Sequence, residues 1–330
     1  MERHLVTGGS GFIGAALVKD LVEHGYAVRV LDDNSRGHPR RLETVSDQIE
    51  VVVGDVRDLA AVEAATEGCD VVWHLAFING TRHFYERPDA VLDVGIKGTL
   101  NTIEASLSCG VRRYVFASTS ETYNTPTHVP TSERERLMIP DVTNPRFSYG
   151  GGKIAGELMT LHYAGRRGLE TVIIRPHNIY GPDMGFAHVV PEIVQRIIDL
   201  SDGLQRTQID LPIQGDGLET RAFCYVADGA SGFRIAGTQG HDGEIYHLGR
   251  EEETSIRDLI LGIGRVLGVQ LNLVPGELRE GGTKRRCPDI TKLAALGYEP
   301  SYSLSRGLES TVRWYADYFR EHGTDVGNGG

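Results

Sequence analysis

Tyr149 and Lys153 stand four residues apart, a spacing that puts a phenol and an ammonium on one face of a helix. A pair of this kind can take a proton from an alcohol and hold the charge that results. Two further stretches give the pair a context. Thr7-Gly8-Gly9-Ser10-Gly11-Phe12-Ile13-Gly14 is a glycine-rich turn near the amino terminus, and Ala117-Ser118-Thr119-Ser120-Glu121 is a hydroxyl-rich segment that ends an apolar run. Together the three describe a bound dinucleotide, an acid/base tyrosine and a hydroxyl partner, which are the parts needed to oxidise an alcohol.

Gly8, Gly11 and Gly14 permit a tight turn from strand to helix and a close approach to a pyrophosphate, with Phe12 and Ile13 opening the helix whose amino terminus faces the anion. Asp32 follows the apolar run 27–31 and lies 18 residues beyond Gly14. A carboxylate there accepts both ribose hydroxyls and repels a 2′-phosphate, so NAD is expected over NADP. Arg36 is the one nearby cation that argues the other way, and Asn34 on the same loop is expected at the cofactor. Gly54-Asp55-Val56 follows the next apolar run. Asp55 is read either as an acceptor for the adenine amino group, with Val56 beside it, or as an ordinary turn carboxylate.

The elements that position these residues follow from hydrophobic rhythm. Short apolar runs at 4–7, 28–31, 50–53, 71–75, 114–117 and 171–175 alternate with amphipathic helical stretches, the pattern of an α/β fold with a doubly wound parallel sheet of the Rossmann type. Ligands of such a sheet lie at the carboxyl ends of its strands. After Pro176 the rhythm changes, with a helix at about 192–200 and a glycine-rich turn at 214–217. The expected organisation is an NAD-binding domain over 1–175, rejoined by about 222–248, a smaller α/β substrate-binding region over most of 176–322, and a flexible tail at 323–330. Within it, 223–226 and 244–248 read as strands that return the chain to the main sheet before a helix at 255–267.

The 330 residues, 40% hydrophobic and 24% charged, can bury a sizeable core. No apolar run approaches the roughly 20 residues of a membrane span, and no signal peptide is visible, so the expected setting is the cytoplasm. A net charge of −11 argues against a nucleic-acid surface. Anionic ligands must then be met by a few placed arginines and helix amino termini. Cys69, Cys109, Cys224 and Cys287 form no paired motif, and His83, His162, His177 and His188 are too scattered for a metal site. His177 and His188 are read as lining a substrate pocket, with Val189 beside them.

With these residues in place the chain resembles the extended short-chain dehydrogenase/reductase family, in the branch of nucleotide-sugar epimerases, dehydratases and decarboxylases, over nearly its whole length. The resemblance implies that Tyr149 is the acid/base residue on the reacting hydroxyl. Lys153 would lower its pKa and hold the nicotinamide ribose, Thr119 would share the hydroxyl proton, and Leu75-Ala76 after His74 would contact the cofactor through the backbone. The Asn-x-Tyr-Gly-Pro segment at Asn178 and the arginine segments around Arg221 and Arg286 resemble those that bind the diphosphate and sugar, with Ser120 also at the sugar. A nucleotide-diphosphate sugar is therefore the implied substrate, and a homodimer paired through helices around 93–109 and 149–165 the implied assembly.

Epimerisation through a transient 4-keto sugar asks least of the protein and is the leading expectation, ahead of decarboxylation or dehydration, with Gly150 to Gly152 offering room for the keto-sugar to turn. Thr119-Ser120-Glu121 instead resembles the Thr-Ser-Glu of decarboxylases and GDP-mannose dehydratases, where Glu121 is catalytic; it also occurs where the glutamate only holds the strand end. A regulatory protein that keeps the dinucleotide fold without catalysis, and a simple dehydrogenase, are further alternatives. One departure from the family stands out: Gly95 occupies a position where an asparagine usually supports the cofactor-bearing strand.

Overall fold

The computed structural model describes residues 1–277 and 283–324, so most of the tail expected at 323–330 lies outside the described residues. The six apolar runs of the first half are strands: β1 (Arg3–Thr7), β2 (Ala27–Asp32), β3 (Ile49–Val53), β4 (Val71–His74), β5 (Arg113–Ala117) and β6 (Glu170–Pro176). A seventh, β7 (Glu244–Leu248), joins them in one parallel sheet of order β7-β6-β5-β4-β1-β2-β3. The segment 223–226 does not join this sheet. Only Cys224–Tyr225 is extended there, and it pairs with Ile179–Tyr180, because the next residue already starts the Val226–Gln239 helix.

Side chains alternate across each strand, and here both faces are covered. Val6, Val30, Trp73, Val115 and Ile174 meet Leu17, Leu21 and Phe233 of the helices Phe12–Glu23 and Val226–Gln239. Leu5, Leu31, Val72, Phe116 and Ile173 meet Val62 and Ile103 of the helices Leu59–Thr66 and Gly98–Ser108. Burying each such side chain contributes roughly 1.5–3 kcal/mol, which is why these strands read as unbroken apolar runs. The strand order reverses between β1 and β4, and at that point, outside the carboxyl ends of the strands, the ligand cleft is expected to open.

A second core lies between the helices Val189–Leu200, Ile256–Leu267 and Leu304–His322 and a parallel pair of strands, Gln208–Ile213 and Gln270–Pro275. The Ser255 hydroxyl accepts from the Asp258 N–H at 3.0 Å, which caps the second of these helices. A small three-stranded sheet matters more for the site. Thr220–Ala222 pairs antiparallel with Glu253–Ser255 and parallel with Arg285–Arg286, setting Arg221 opposite Arg286. Among the described residues no helix is long and apolar enough to cross a membrane, and no cluster of His, Cys, Asp and Glu could hold a metal ion.

Candidate functional site

A cleft of about 460 Å³ opens over the carboxyl ends of β1, β2, β4 and β5. Its floor is the glycine turn. Gly8 has φ +70°, and a Cβ there would lie 2.7 Å from the Ala76 nitrogen; one on Gly14 would lie 2.1 Å from the Gly8 oxygen. Both contacts are with backbone that cannot yield, so the turn exists only with glycine. Gly11 caps the Phe12–Glu23 helix without any side-chain hydrogen bond, leaving its first N–H groups aimed at the cleft. Leu75 and Ala76 form the facing wall, tied to Thr7 by N–H bonds of 3.1 Å to its carbonyl and 3.3 Å to its hydroxyl.

Asp32 ends β2 with its carboxylate accepting the Ser10 and Asn34 N–H groups, each at 2.9 Å. Burial pushes its pKa up against these bonds. Asn34, at φ +57°, is not among the residues that line the cleft; its backbone N–H shapes the loop that presents Asp32. Asp55 and Val56 line the cleft beyond the end of β3. Arg57 donates to both Asp55 oxygens at 2.6–3.0 Å and holds this carboxyl below its usual range, so the carboxylate is ionised and already partnered. The glycine cradle, the uncapped helix terminus and Asp32 fit a dinucleotide.

At the other end stand Thr119, Tyr149 and Lys153. The Thr119 hydroxyl acts on the Tyr149 phenol, drawing its pKa down against burial, and accepts from the Glu121 N–H at 3.2 Å. Tyr149 and Lys153 lie one turn apart on the Ser148–Leu158 helix, which forms despite its three consecutive glycines. Each glycine costs a helix about 1 kcal/mol relative to alanine, and packing compensates. A Cβ on Gly152 would lie 3.0 Å from the Phe77 ring, one on Gly151 3.1 Å from Ile139, and one on Gly156 2.3 Å from the Phe116 ring. Gly151 and Gly152 therefore admit neighbouring side chains and provide no room for a turning sugar, contrary to the sequence expectation; Gly150 alone borders a small recess beside Glu121.

Lys153 is 2% exposed and donates to the Ala117 carbonyl at 2.5 Å. Burial draws its pKa down to about 7, with Glu157 opposing. Burial drives the Tyr149 phenol up, Glu121 adds to the rise, and Thr119 and Arg36 oppose it. The ammonium is 5.8 Å from the phenol ring centre and is committed elsewhere.

Glu121 and Arg286 form an ion pair on the cleft wall. Burial would raise the Glu121 carboxyl, but Arg286, Arg146 and Arg221 outweigh it and hold the group below its ordinary value. Arg146 was not singled out from the sequence, although its place three residues before Tyr149 was a signal, since the short turn Pro145–Phe147 leads straight into the helix that carries Tyr149 and Lys153. Arg36, Phe77 and Phe84 also line the cleft. Ser120, Asn178 and His188 line it too, and burial lowers His188 to about 4.

Three expected substrate residues do not line it. Arg221 is half-buried beside Arg286 on the neighbouring strand and donates to the Thr220 carbonyl at 2.7 Å. Val189 packs into the second core as the first residue of its helix. His177 is 1% exposed, its ring centre 4.7 Å from that of His247, and its pKa is driven down by burial; it belongs beneath the cleft, because β6 ends at Pro176 and turns the next side chain inward.

Residues 4–249 match the NAD dependent epimerase/dehydratase family. The chain is 31% identical over 328 residues to the UDP-N-acetyl-alpha-D-glucosaminuronate decarboxylase of Bacillus cytotoxicus, covering 96% of this chain and 98% of that protein. It is 32% identical over 321 residues to the UDP-glucose 4-epimerase of Mycolicibacterium smegmatis, covering 95% and 98%. Among solved structures, the dTDP-glucose 4,6-dehydratase of Streptomyces venezuelae with NAD bound superposes with a TM-score of 0.84 at 29% identity, over 97% of this chain and 98% of that one.

Proposed function

The chain belongs to the NAD dependent epimerase/dehydratase family, and from that premise we propose that it decarboxylates a nucleotide-diphosphate-linked uronic acid through a 4-keto intermediate. The glycine cradle and Asp32 would hold NAD, which would supply the hydride acceptor and donor. Tyr149 takes the proton of the 4-hydroxyl, Thr119 shares its hydrogen bond, and Lys153 is positioned for the nicotinamide ribose. The ketone at carbon 4 is then beta to the carboxylate, so the bond to that carboxyl carbon breaks with its electrons passing into an enolate. Carbon dioxide leaves, a proton from water restores carbon 5, and Tyr149 gives its proton back to the oxygen on carbon 4 as the alcohol is re-formed.

The observation that carries this reading is the Glu121–Arg286 pair with Arg146 and Arg221 beside it. Three guanidinium groups against one carboxylate leave a surplus of positive charge beside Tyr149, which suits an anionic sugar. An ionised Glu121 is a poor proton donor to a leaving hydroxyl, which disfavours loss of water. Decarboxylation needs no such acid. A second reading, 4-epimerisation, is favoured by the same pair if Glu121 serves only as a strut for Arg286. We also propose a homodimer, since Leu92, Leu100 and Leu158 present exposed apolar side chains on neighbouring helical segments.

The test is the mass of the product from UDP-, GDP- and dTDP-linked sugars and uronic acids. Loss of carbon dioxide from a uronic acid supports the proposal. Conversion of a neutral sugar at unchanged mass, with uronic acids untouched, overturns it in favour of epimerisation.

A further inference from the structure

The position of Gly95 and the tight packing at Gly152 have one physical explanation. A Cβ on Gly95 would lie 2.2 Å from the Phe77 Cζ, and one on Gly152 3.0 Å from the same atom. The ring that occupies this space stands edge-on to Tyr149, with centroids 5.1 Å apart. Its face lies 4.0 Å from the Lys153 ammonium, and the Phe116 ring lies 4.9 Å from that ammonium. An aromatic face attracts a cation but neither hydrates it nor takes its proton. We infer that Phe77 is a positioning residue for the acid/base pair: admitted by the missing side chains of Gly95 and Gly152, its ring holds the Lys153 ammonium against the Ala117 carbonyl, keeps water from it and braces Tyr149.

The other charged or titratable groups facing Lys153 are Glu157 and Tyr149 on its own helix and His74 at the end of β4, which burial keeps neutral with a pKa of about 3. None of them takes a direct hydrogen bond from the ammonium, whose protein acceptor is Ala117. Phe77 and Lys153 line the same cleft, the ring lying against the ammonium. The inference rests on Lys153 and Tyr149 being the acid/base pair, and it is independent of which sugar is converted.

The experiment compares Phe77→Ala and Phe77→Leu with the unaltered protein, each also in a Lys153→Met background, by melting temperature from pH 6 to about 10.5. A lysine whose pKa is about 7 when folded and near its ordinary 10.5 when unfolded sheds its proton on folding within that window. Stability relative to Lys153→Met should therefore rise with pH across it. Phe77→Ala admits water to the ammonium and should flatten the rise; Phe77→Leu excludes water without offering an aromatic face and should keep or steepen it.

The alkaline limb of kcat/KM, where the ammonium is lost, should move up by about one pH unit in Phe77→Ala and down in Phe77→Leu. Melting curves that run parallel at all pH values for the three proteins, with an unmoved limb, would overturn the inference and leave Phe77 as ordinary packing. Melting needs no turnover, so a failure of the decarboxylase reading and a failure of this one give different results.

Discussion

At the scale of single residues, the chemistry turns on what Glu121 can do. Arg286 holds its carboxyl below the usual range, with Arg146 and Arg221 reinforcing the effect. It therefore acts as an acceptor and as the partner that aims Arg286. Glu121→Gln keeps the shape, removes the charge and releases Arg286. Turnover of a uronic acid should fall by roughly 10²–10⁴-fold, the range of a lost acid/base or charge partner, while the melting temperature changes little. Steady-state kinetics on that variant check it; full activity would reduce Glu121 to a strut. Thr119, Glu121, Tyr149 and Lys153 were legible because their spacing is local. Arg146 and Phe77 were harder to read, since their value comes from neighbours far along the chain.

At the scale of elements, the helix Ser148–Leu158 shows how a sequence that should weaken a helix is rescued by what packs on it. Gly152 and Gly156 let the Phe77 and Phe116 rings approach the backbone closely, and the helix continues into the turn Met159–Ala164. Its far side leaves Leu158 56% exposed, while Tyr163 in the following turn donates to Glu104 on the Gly98–Ser108 helix, whose Leu100 is 37% exposed. These two segments form the face proposed to pair with a second copy. Leu158→Asp should convert a dimer to a monomer in sedimentation, because a carboxylate in an apolar interface loses hydration without gaining a partner. If the unaltered chain is already a monomer at micromolar concentration, this face is not the interface.

At the scale of the whole molecule, a buried polar seam runs beneath the cleft. Arg175 grips Glu157 with bonds of 2.8 and 2.5 Å, both side chains being at most 5% exposed, and also donates to the Tyr123 hydroxyl, which is 2.6 Å from His247. His74 and His247 are fully buried, and burial lowers each to about 3. In the unfolded chain they titrate near 6.5, so below that pH the unfolded state binds protons that the folded state refuses. Their contribution is complete above pH 6.5 and is lost as the pH falls towards 3. By pH 4 each should cost roughly 3 kcal/mol. Denaturant midpoints from pH 7 to 4 should fall steeply, with His247→Gln flattening part of the slope; an unchanged slope would show that the ring is not kept neutral.

The sequence by itself determined the parallel sheet, the glycine cradle and the Thr119, Tyr149, Lys153 set, because each is written in local terms: a period of two or 3.6, a turn that only glycine allows, or a spacing on one helix face. Tertiary structure alone decided the pairings between distant segments. It set Arg286 on Glu121 and Arg221 beside Arg286, buried His177 against His247, and placed the Phe77 ring in the space left by Gly95 and Gly152. Such contacts depend on how strands and loops far apart in the chain come together, and neither composition nor periodicity specifies that.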